Sequence, residues 1–322
     1  MDLTLTREQE MIREAIVAFL AREVNEDVIR EMDETERFPF ELRKKFCSLG
    51  YAGVLVPEAY GGMGGGYVDL SIISEEISRY SGSVLMAFLI TSVFGVEALL
   101  VAGSEEQKRM YLPKAASGDL LIAFGLTEPG AGSDAAALRT YAERDGDSFV
   151  LNGTKTFCTG ADTADRIVLV ARTDRDVEAH EGITLFFLDA RSPGVTARPI
   201  AKLGHHAVHT CDVALENVRV PASDLLGGLN EGWWNALAIL DAERIWSGSV
   251  GLGMARGAFD LALRYANERS QFGRTIGRFQ AISHMLADMA TEIDVLRPVV
   301  YRAAWMKDQG IPCSKEASMA KL

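Results

Sequence analysis

Apolar residues recur at helical spacing from the start of the chain. Ile12, Ile16, Phe19 and Leu20 share one face, and Thr6 followed by Gln9 has the form of a capping box, so a first amphipathic helix begins there. Helical patterns continue through "FELRKKFCSLGYAGVLV", "YVDLSIISEEISRY", "VLMAFLITSVFGVEALLVAG" and "SEEQKRMYLPKAASG", broken by Pro57 and by the glycine cluster Gly61 to Gly66. Residues 1–118 therefore read as a helical domain.

The period then changes. "SFVLNGTKTFCT", "RIVLVART", "ITLFFLDA" and "CDVALENVRV" are short, rich in β-branched and aromatic residues, and separated by Gly, Asp, Asn and Pro. Asn152-Gly153 suits a tight hairpin turn, and no long helical pattern interrupts the strands, which predicts antiparallel pairing over residues 119–228. From about Glu231 the helical period returns, predicting a C-terminal helical domain over 229–322. Segregated helices and strands make the fold class α+β. The closing "KEASMAKL" begins a helix without a Gly or Pro stop, which predicts that the C-terminal helical domain is incomplete here.

Of the 322 residues, 48% are apolar and 24% charged, an ordinary globular balance. A net charge of −12 with a pI near 5.0 and no basic run argues against general binding to nucleic acid. Cys47, Cys158, Cys211 and Cys313 lie far apart without clustered His, so neither a metal site nor a disulfide framework is expected. Acidic residues stand where a signal peptide would be basic, and the sequence reads as having no apolar stretch long enough to span a bilayer, so a cytoplasmic location is expected.

Two glycine groups invite a dinucleotide reading, and both fail. Gly61 to Gly66 lies between helical segments and Gly251 to Gly257 inside one, where small residues permit close helix packing; a dinucleotide loop must instead follow a strand and open a helix. Ser133 lacks the flanking glycine of a nucleophile elbow. "FGLTEPGAGSD", Phe124 to Asp134, remains. Its glycines would let backbone amides approach a ligand and its hydroxyls could donate to phosphate oxygens, but the same residues also make a plain turn.

The loop does not stand alone. "TEPGAGSD" resembles the flavin-loop signature of the acyl-CoA dehydrogenase family, "VPEAYGGMG" its Pro-Glu-x-x-Gly-Gly segment, and "LNGTKTFCTGADTAD" the strand pair that follows. "KLGHHAVHTCDVALENVRVP" is similar to its second signature, "ERSQFGRTIGRFQAI" to its Arg-x-x-Phe-Gly…Gln segment, and "RAAWMKDQG…EASMAKL" to the helix after it. These motifs are collinear and cover essentially the whole chain. The resemblance implies helical N-terminal, β middle and helical C-terminal domains. It also implies FAD held between subunits of a homo-oligomer, typically a tetramer.

Carried over by position, the resemblance implies that Phe124, Leu126, Thr127, Gly132 and Ser133 line the flavin. Thr127 would bond the ring edge and Ser133 the pyrophosphate. Phe157 to Thr159 would cover the ring's other side, with Thr159 near its reactive nitrogen. Arg269, Phe272, Phe279 and Gln280 would reach the FAD of a neighbouring subunit. Substrate contacts fall on Ser133, Asp241 and Arg244. Many relatives have Trp where Phe157 stands, often Arg at His206 and often Ser at Val208.

In this family a carboxylate removes the α-proton of an acyl-CoA while the β-hydrogen leaves as hydride, giving the trans-2-enoyl thioester, and electrons pass to an electron-transfer flavoprotein. The base lies in most members in a loop near the C-terminus, past the end of this sequence, and in some branches at the position of Glu243. "MDLTLTREQE", "YANERSQFGRTIGRFQ" and "AAWMKDQG" also resemble the crotonobetainyl-CoA reductase branch, in which the same site runs towards reduction. A third reading is a flavin-binding protein without turnover.

Overall fold

The computed structural model describes residues 4–322. The chain divides into two compact units. One comprises the N-terminal segment up to Ile29, Gly66–Leu85 and Arg244–Leu322; the other comprises Arg30–Gly65 and Met86–Glu243.

In chain order the helices before the sheet are α1 (Arg7–Glu23), α2 (Glu26–Thr35), α3 (Phe40–Cys47), α4 (Tyr67–Tyr80), α5 (Gly82–Ile90), α6 (Glu97–Ala102) and α7 (Glu105–Ser117). The capping box at α1 is formed, with the Gln9 amide donating to Thr6 Oγ1 at 3.2 Å and the Thr6 amide to Gln9 Oε1 at 3.0 Å. A second box, unanticipated, opens α7 between Ser104 and Gln107. A π-helical turn, Thr91–Val96, joins α5 to α6.

That joined helix corrects one expectation. Gly82–Ala102 is 21 residues long and apolar enough to cross a membrane by length and composition. Its polar Thr91, Ser92 and Glu97 interrupt the apolar run to the eye, yet all three are buried. Ser92 Oγ donates to the Ala52 carbonyl at 2.6 Å, and Thr91 Oγ1 accepts from the Ile122 amide at 3.1 Å. With 78% of its most apolar window buried inside the protein, it is a core helix.

The sheet contains β1 (Ile122–Gly125), β2 (Tyr141–Asp145), β3 (Ser148–Thr159), β4 (Arg166–Arg172), β5 (Ile183–Asp189), β6 (Val195–Pro199), β7 (Thr210–Pro221) and β8 (Leu225–Leu226). Its order is β6-β7-β3-β2-β4-β5-β8, with β1 added on β4. The pairing is antiparallel except at β4, which β1 joins in parallel along Ile122–Gly125 and β2 at the single pair Tyr141–Arg172. Sequence period alone did not anticipate this. β1 leads into the loop Leu126–Leu138, and the β2–β3 hairpin intervenes before β4, so β4 runs in the direction of β1. The core alternates along the strands: Phe149 and Leu151, then Ile167, Leu169 and Ala171, then Phe186 and Leu188, with Cys211, Val213 and Leu215 on β7.

The Asn152-Gly153 turn is a second correction. Both residues lie inside β3, where the register against β7 shifts between Leu151 and Gly153. Gly153 has φ +152, and a Cβ there would sit 2.7 Å from Thr140 Cα, so glycine is required by a close backbone approach. The hairpin turn is Gly146-Asp147, with Asp145 paired to Ser148 and Gly146 at φ +61.

After the sheet come α8 (Gly232–Glu268), the two-stranded β9 (Ser270–Gln271) and β10 (Arg274–Thr275), α9 (Gln280–Asp308) and α10 (Ser314–Lys321). In the first unit, Gly253 and Gly257 of α8 face the Glu75 and Arg79 carbonyls of α4, closer than any Cβ would allow. Close helix packing accounts for both glycines. The apolar core here is Ile245, Val300, Ala303, Ala304, Cys313 and Ala317. Glu75, 2% exposed, accepts from Arg256 at 2.7 Å, Arg297 at 3.0 Å and Tyr301 at 2.8 Å. A cavity of about 510 Å³ opens beside this cluster, lined also by Glu10 and Arg13. None of the sequence-predicted site residues lines it.

Candidate functional site

The densest concentration of sequence-predicted residues is in the second unit, where β1 ends and the loop from Leu126 begins. Strand pairing on β4 fixes Phe124 and Gly125, and Phe124 is the one half-exposed residue of β1. Its ring stacks on Phe94 of the π-turn, centroids 5.1 Å apart and planes 20° apart. The loop is then held carbonyl by carbonyl. Lys155 Nζ donates to the Leu126 carbonyl at 2.9 Å, and the Thr156 amide donates to the Thr127 carbonyl at 2.8 Å. Glu128 and Ala131 exchange backbone hydrogen bonds at 3.0 and 3.1 Å, closing a tight turn.

Gly130 lies in that turn and Gly132 directly after it. Neither has a positive φ, and a Cβ on either would meet nothing within 4 Å. Backbone conformation and internal packing thus leave glycine unrequired at both positions, while close approach of an external group to the amides does call for it. Ser133 is exposed beside them and Thr127 half-exposed.

Across from the loop, β3 bulges. The register with β7 shifts between Lys155 and Cys158, and within that bulge Phe157 stands at φ +58 with 65% of its surface exposed. A left-handed phenylalanine facing solvent costs conformational energy and forgoes burial, and bulges characteristically re-aim a side chain at such places. Thr156 Oγ1 donates to Asp212 at 2.5 Å, and Thr159 Oγ1 lies 3.3 Å from Thr210 Oγ1, so both flanks of the bulge are tied to β7.

Beneath the loop, Lys155 Nζ also donates to Glu128 Oε1 at 2.8 Å, with Lys155 wholly buried and Glu128 7% exposed. The carboxylate accepts further bonds from the amides of Arg139 at 2.6 Å and Thr140 at 2.8 Å. Burial raises the Glu128 carboxyl, but the Lys155 ammonium and these hydrogen bonds outweigh it and hold it below the usual carboxylate range. The arrangement is a shelf of amides and hydroxyls opposite an exposed aromatic ring, suited to a planar ring system carrying an anionic group.

Family models match the chain in order: the N-terminal domain of acyl-CoA dehydrogenase at residues 6–119, its middle domain at 123–218 and its C-terminal domain at 230–322. The chain belongs to the acyl-CoA dehydrogenase family. It is 43% identical over 319 residues to a 3-(aryl)acrylate reductase of Clostridium sporogenes, covering 98% of this chain and 84% of that protein. It is 39% identical over 317 residues to the caffeyl-CoA reductase–Etf complex subunit CarC of Acetobacterium woodii, covering 98% of this chain and 83% of that one. Among solved structures, butyryl-CoA dehydrogenase from Megasphaera elsdenii superposes with a TM-score of 0.95 at 34% identity, over 99% of this chain and 84% of that one.

This member of the acyl-CoA dehydrogenase family carries its remaining candidates on the later helices. Asp241, Glu243 and Arg244 lie within one turn and a half of α8, each half-exposed, and the boundary between the two units falls between Glu243 and Arg244. Arg269, Phe272, Phe279 and Gln280 gather around the β9–β10 hairpin of the first unit. Its two-residue loop, Phe272-Gly273, takes positive φ at both positions, 51° and 77°. That is the backbone of a tight hairpin turn in which Asn or Gly is usual, and Phe272 is 93% exposed there. The Phe272 and Phe279 rings meet edge to face at 6.2 Å, and Arg274 lies over Phe279 at 4.2 Å. Arg269 is exposed, and no ion pair involves it among the described residues.

His206 and Val208 stand at positions that depart from the resemblance. His206 contacts Asp33 Oδ1 through Nδ1 at 2.9 Å and the Lys202 carbonyl through Nε2 at 3.0 Å. Val208 is fully buried. Sequence reasoning missed Lys155 and Phe94 and gave Glu128 no role of its own. The one available signal was a lysine in a strand otherwise patterned for burial; its partner, 27 residues away, carried none.

Proposed function

We propose that this oxidoreductase of the acyl-CoA dehydrogenase family binds FAD and dehydrogenates an acyl-CoA thioester at Cα–Cβ, giving the trans-2-enoyl-CoA and passing electrons to an electron-transfer flavoprotein. The observation that carries the reading is the pairing of the Phe124–Ser133 loop with the Phe157 bulge. Both are fixed by backbone hydrogen bonds, and both expose features that the chain itself does not use.

FAD fits these residues. When bound, it supplies the two-electron acceptor for the hydride leaving Cβ. Thr127 offers a hydroxyl to the edge of the ring, and Phe157 a stacking face smaller than the tryptophan of many relatives. Gly132 and Ser133 present amides and a hydroxyl to phosphate oxygens. Arg269 serves a pyrophosphate of a neighbouring copy, as a planar guanidinium suits, with Phe272, Phe279 and Gln280 beside it. The exposed apolar residues Leu261, Tyr265, Phe272, Met285 and Met289 on α8, the hairpin and α9 support a homo-oligomer, a tetramer in this proposal. Glu243 is the proposed base, its carboxylate accepting the α-proton, with Asp241 and Arg244 beside the substrate.

The second reading is reduction of an enoyl-CoA at the same site. It is favoured by the names of the two relatives given above, one of them a subunit of a complex with Etf. A steady-state assay with saturated acyl-CoAs and an electron-transfer flavoprotein, with thioesters identified by mass spectrometry, separates the two. Conversion of a saturated thioester to the enoyl form supports dehydrogenation. Turnover only of enoyl-CoA with a reduced partner moves the assignment to the reductase.

A further inference from the structure

Lys155 is wholly buried in the β domain. An ammonium in such a place is costly unless fully partnered, and packing alone would be served by methionine or leucine. Its two acceptors are both in the loop, the Leu126 carbonyl at 2.9 Å and Glu128 Oε1 at 2.8 Å. They flank Thr127, whose own carbonyl is held by the Thr156 amide at 2.8 Å. Glu128 extends the tie to the amides of Arg139 and Thr140, where the loop rejoins the sheet. One buried charge pair therefore grips the loop at its entrance and at its exit.

We propose that Lys155 and Glu128 are positioning residues for the flavin. They act through Thr127 and the amides beyond it by fixing the shape of the loop before the cofactor arrives. The proposal rests on the flavin reading of the loop and goes beyond it, because it assigns cofactor affinity to two side chains whose charged groups are buried beneath the shelf. Pre-ordering raises affinity by removing the cost of ordering the loop on binding. A pair that served stability alone would be replaceable by apolar residues of similar volume without effect on the flavin.

The test compares Lys155→Met, Glu128→Gln and the double variant Lys155→Met/Glu128→Leu. Purified protein is depleted of FAD, retitrated by flavin fluorescence, and examined by visible circular dichroism of the bound flavin and by denaturant unfolding. Lys155→Met leaves a buried carboxylate without its cation and is expected to lose both unfolding midpoint and FAD affinity. The double variant removes both charges but leaves the Leu126 carbonyl and the Arg139 and Thr140 amides without their side-chain partners, so its midpoint is expected to recover only part of the way from that of Lys155→Met. Its FAD dissociation constant is expected to stay about tenfold higher, with an altered dichroism spectrum. Glu128→Gln, which keeps a carbonyl acceptor, is expected to fold and to lose affinity by less. Parental FAD affinity and dichroism in the double variant would overturn the proposal while leaving the flavin reading intact. A parent protein that takes up no FAD would overturn both.

Discussion

The amide of Thr156 donates to the carbonyl of Thr127 at 2.8 Å, which joins the loop after β1 to the bulged end of β3 as one structural piece. Immediately beyond Thr156, Phe157 holds a left-handed conformation with its ring mostly exposed. Phe157→Gly should relieve a backbone cost of about 1–2 kcal/mol while removing a stacking face. The expected outcome is an apoprotein at least as stable as the parent in denaturant titration, with weaker FAD binding by fluorescence. Loss of stability without loss of affinity would mean that Phe157 is a packing residue.

Glu75 gathers Arg256, Arg297 and Tyr301 from α8 and α9 onto α4. Burial, together with the Glu75 carboxylate, pushes the Tyr301 hydroxyl well above its ordinary value, so it serves as a donor throughout the physiological range. Glu75→Ala should leave Arg297 and the Tyr301 hydroxyl without their buried acceptor, while Arg256 keeps Glu76 at 2.9 Å, and destabilise the protein by about 2–3 kcal/mol. Denaturant unfolding checks this; a cost below about 1 kcal/mol would show that water replaces the carboxylate.

The glycines of α8 should respond with opposite signs. Gly253→Ala drives a methyl into the Glu75 carbonyl and the Ser78 hydroxyl and is expected to cost about 1–3 kcal/mol or more. Gly251→Ala, two residues back on an exposed face with nothing within 4 Å, is expected to stabilise by about 0.4–1 kcal/mol. Thermal unfolding of the two variants side by side decides it.

The depressed Glu128 carboxyl predicts a sign for acid sensitivity. In the unfolded chain it titrates near the ordinary glutamate value of about 4.3, and in the folded protein below that. As pH falls through this window the unfolded chain takes up the proton first, so stability present above about pH 4.3 is lost progressively below it. Glu128→Gln should flatten that part of the stability profile.

Burial also raises the Cys158 and Cys211 thiols, each to about 12, and the two sit opposite each other on β3 and β7 with no exposed surface. Alkylation of the native protein by iodoacetamide at neutral pH is expected to leave both unmodified, since the thiolate is the nucleophile. Mass spectrometry after native and denaturing treatment gives the comparison.

The sequence pattern made the succession of helices, strands and helices readable because buried faces impose period 3.6 or 2 on the residues that form them. Ile16, Phe19 and Leu20 on α1 and Cys211, Val213 and Leu215 on β7 are examples. The failures came where tertiary contacts override local signals. Gly153 is a glycine because Thr140 lies against it, although its Asn-Gly pair has the form of a turn. The polar residues of Gly82–Ala102 disguised a span that the protein buries. The flavin-loop candidates were visible because their motif is local. The Lys155–Glu128 brace was not, since it joins residues 27 positions apart and neither side chain shows its partner.

The central claim is tested most directly by anaerobic titration of the flavin-loaded protein with a panel of saturated acyl-CoAs, following the visible absorbance of the oxidised flavin. Bleaching by at least one thioester is predicted, with Glu243→Gln retaining FAD but losing the response. Full FAD occupancy with no bleaching by any saturated acyl-CoA would contradict dehydrogenation as the function of this site.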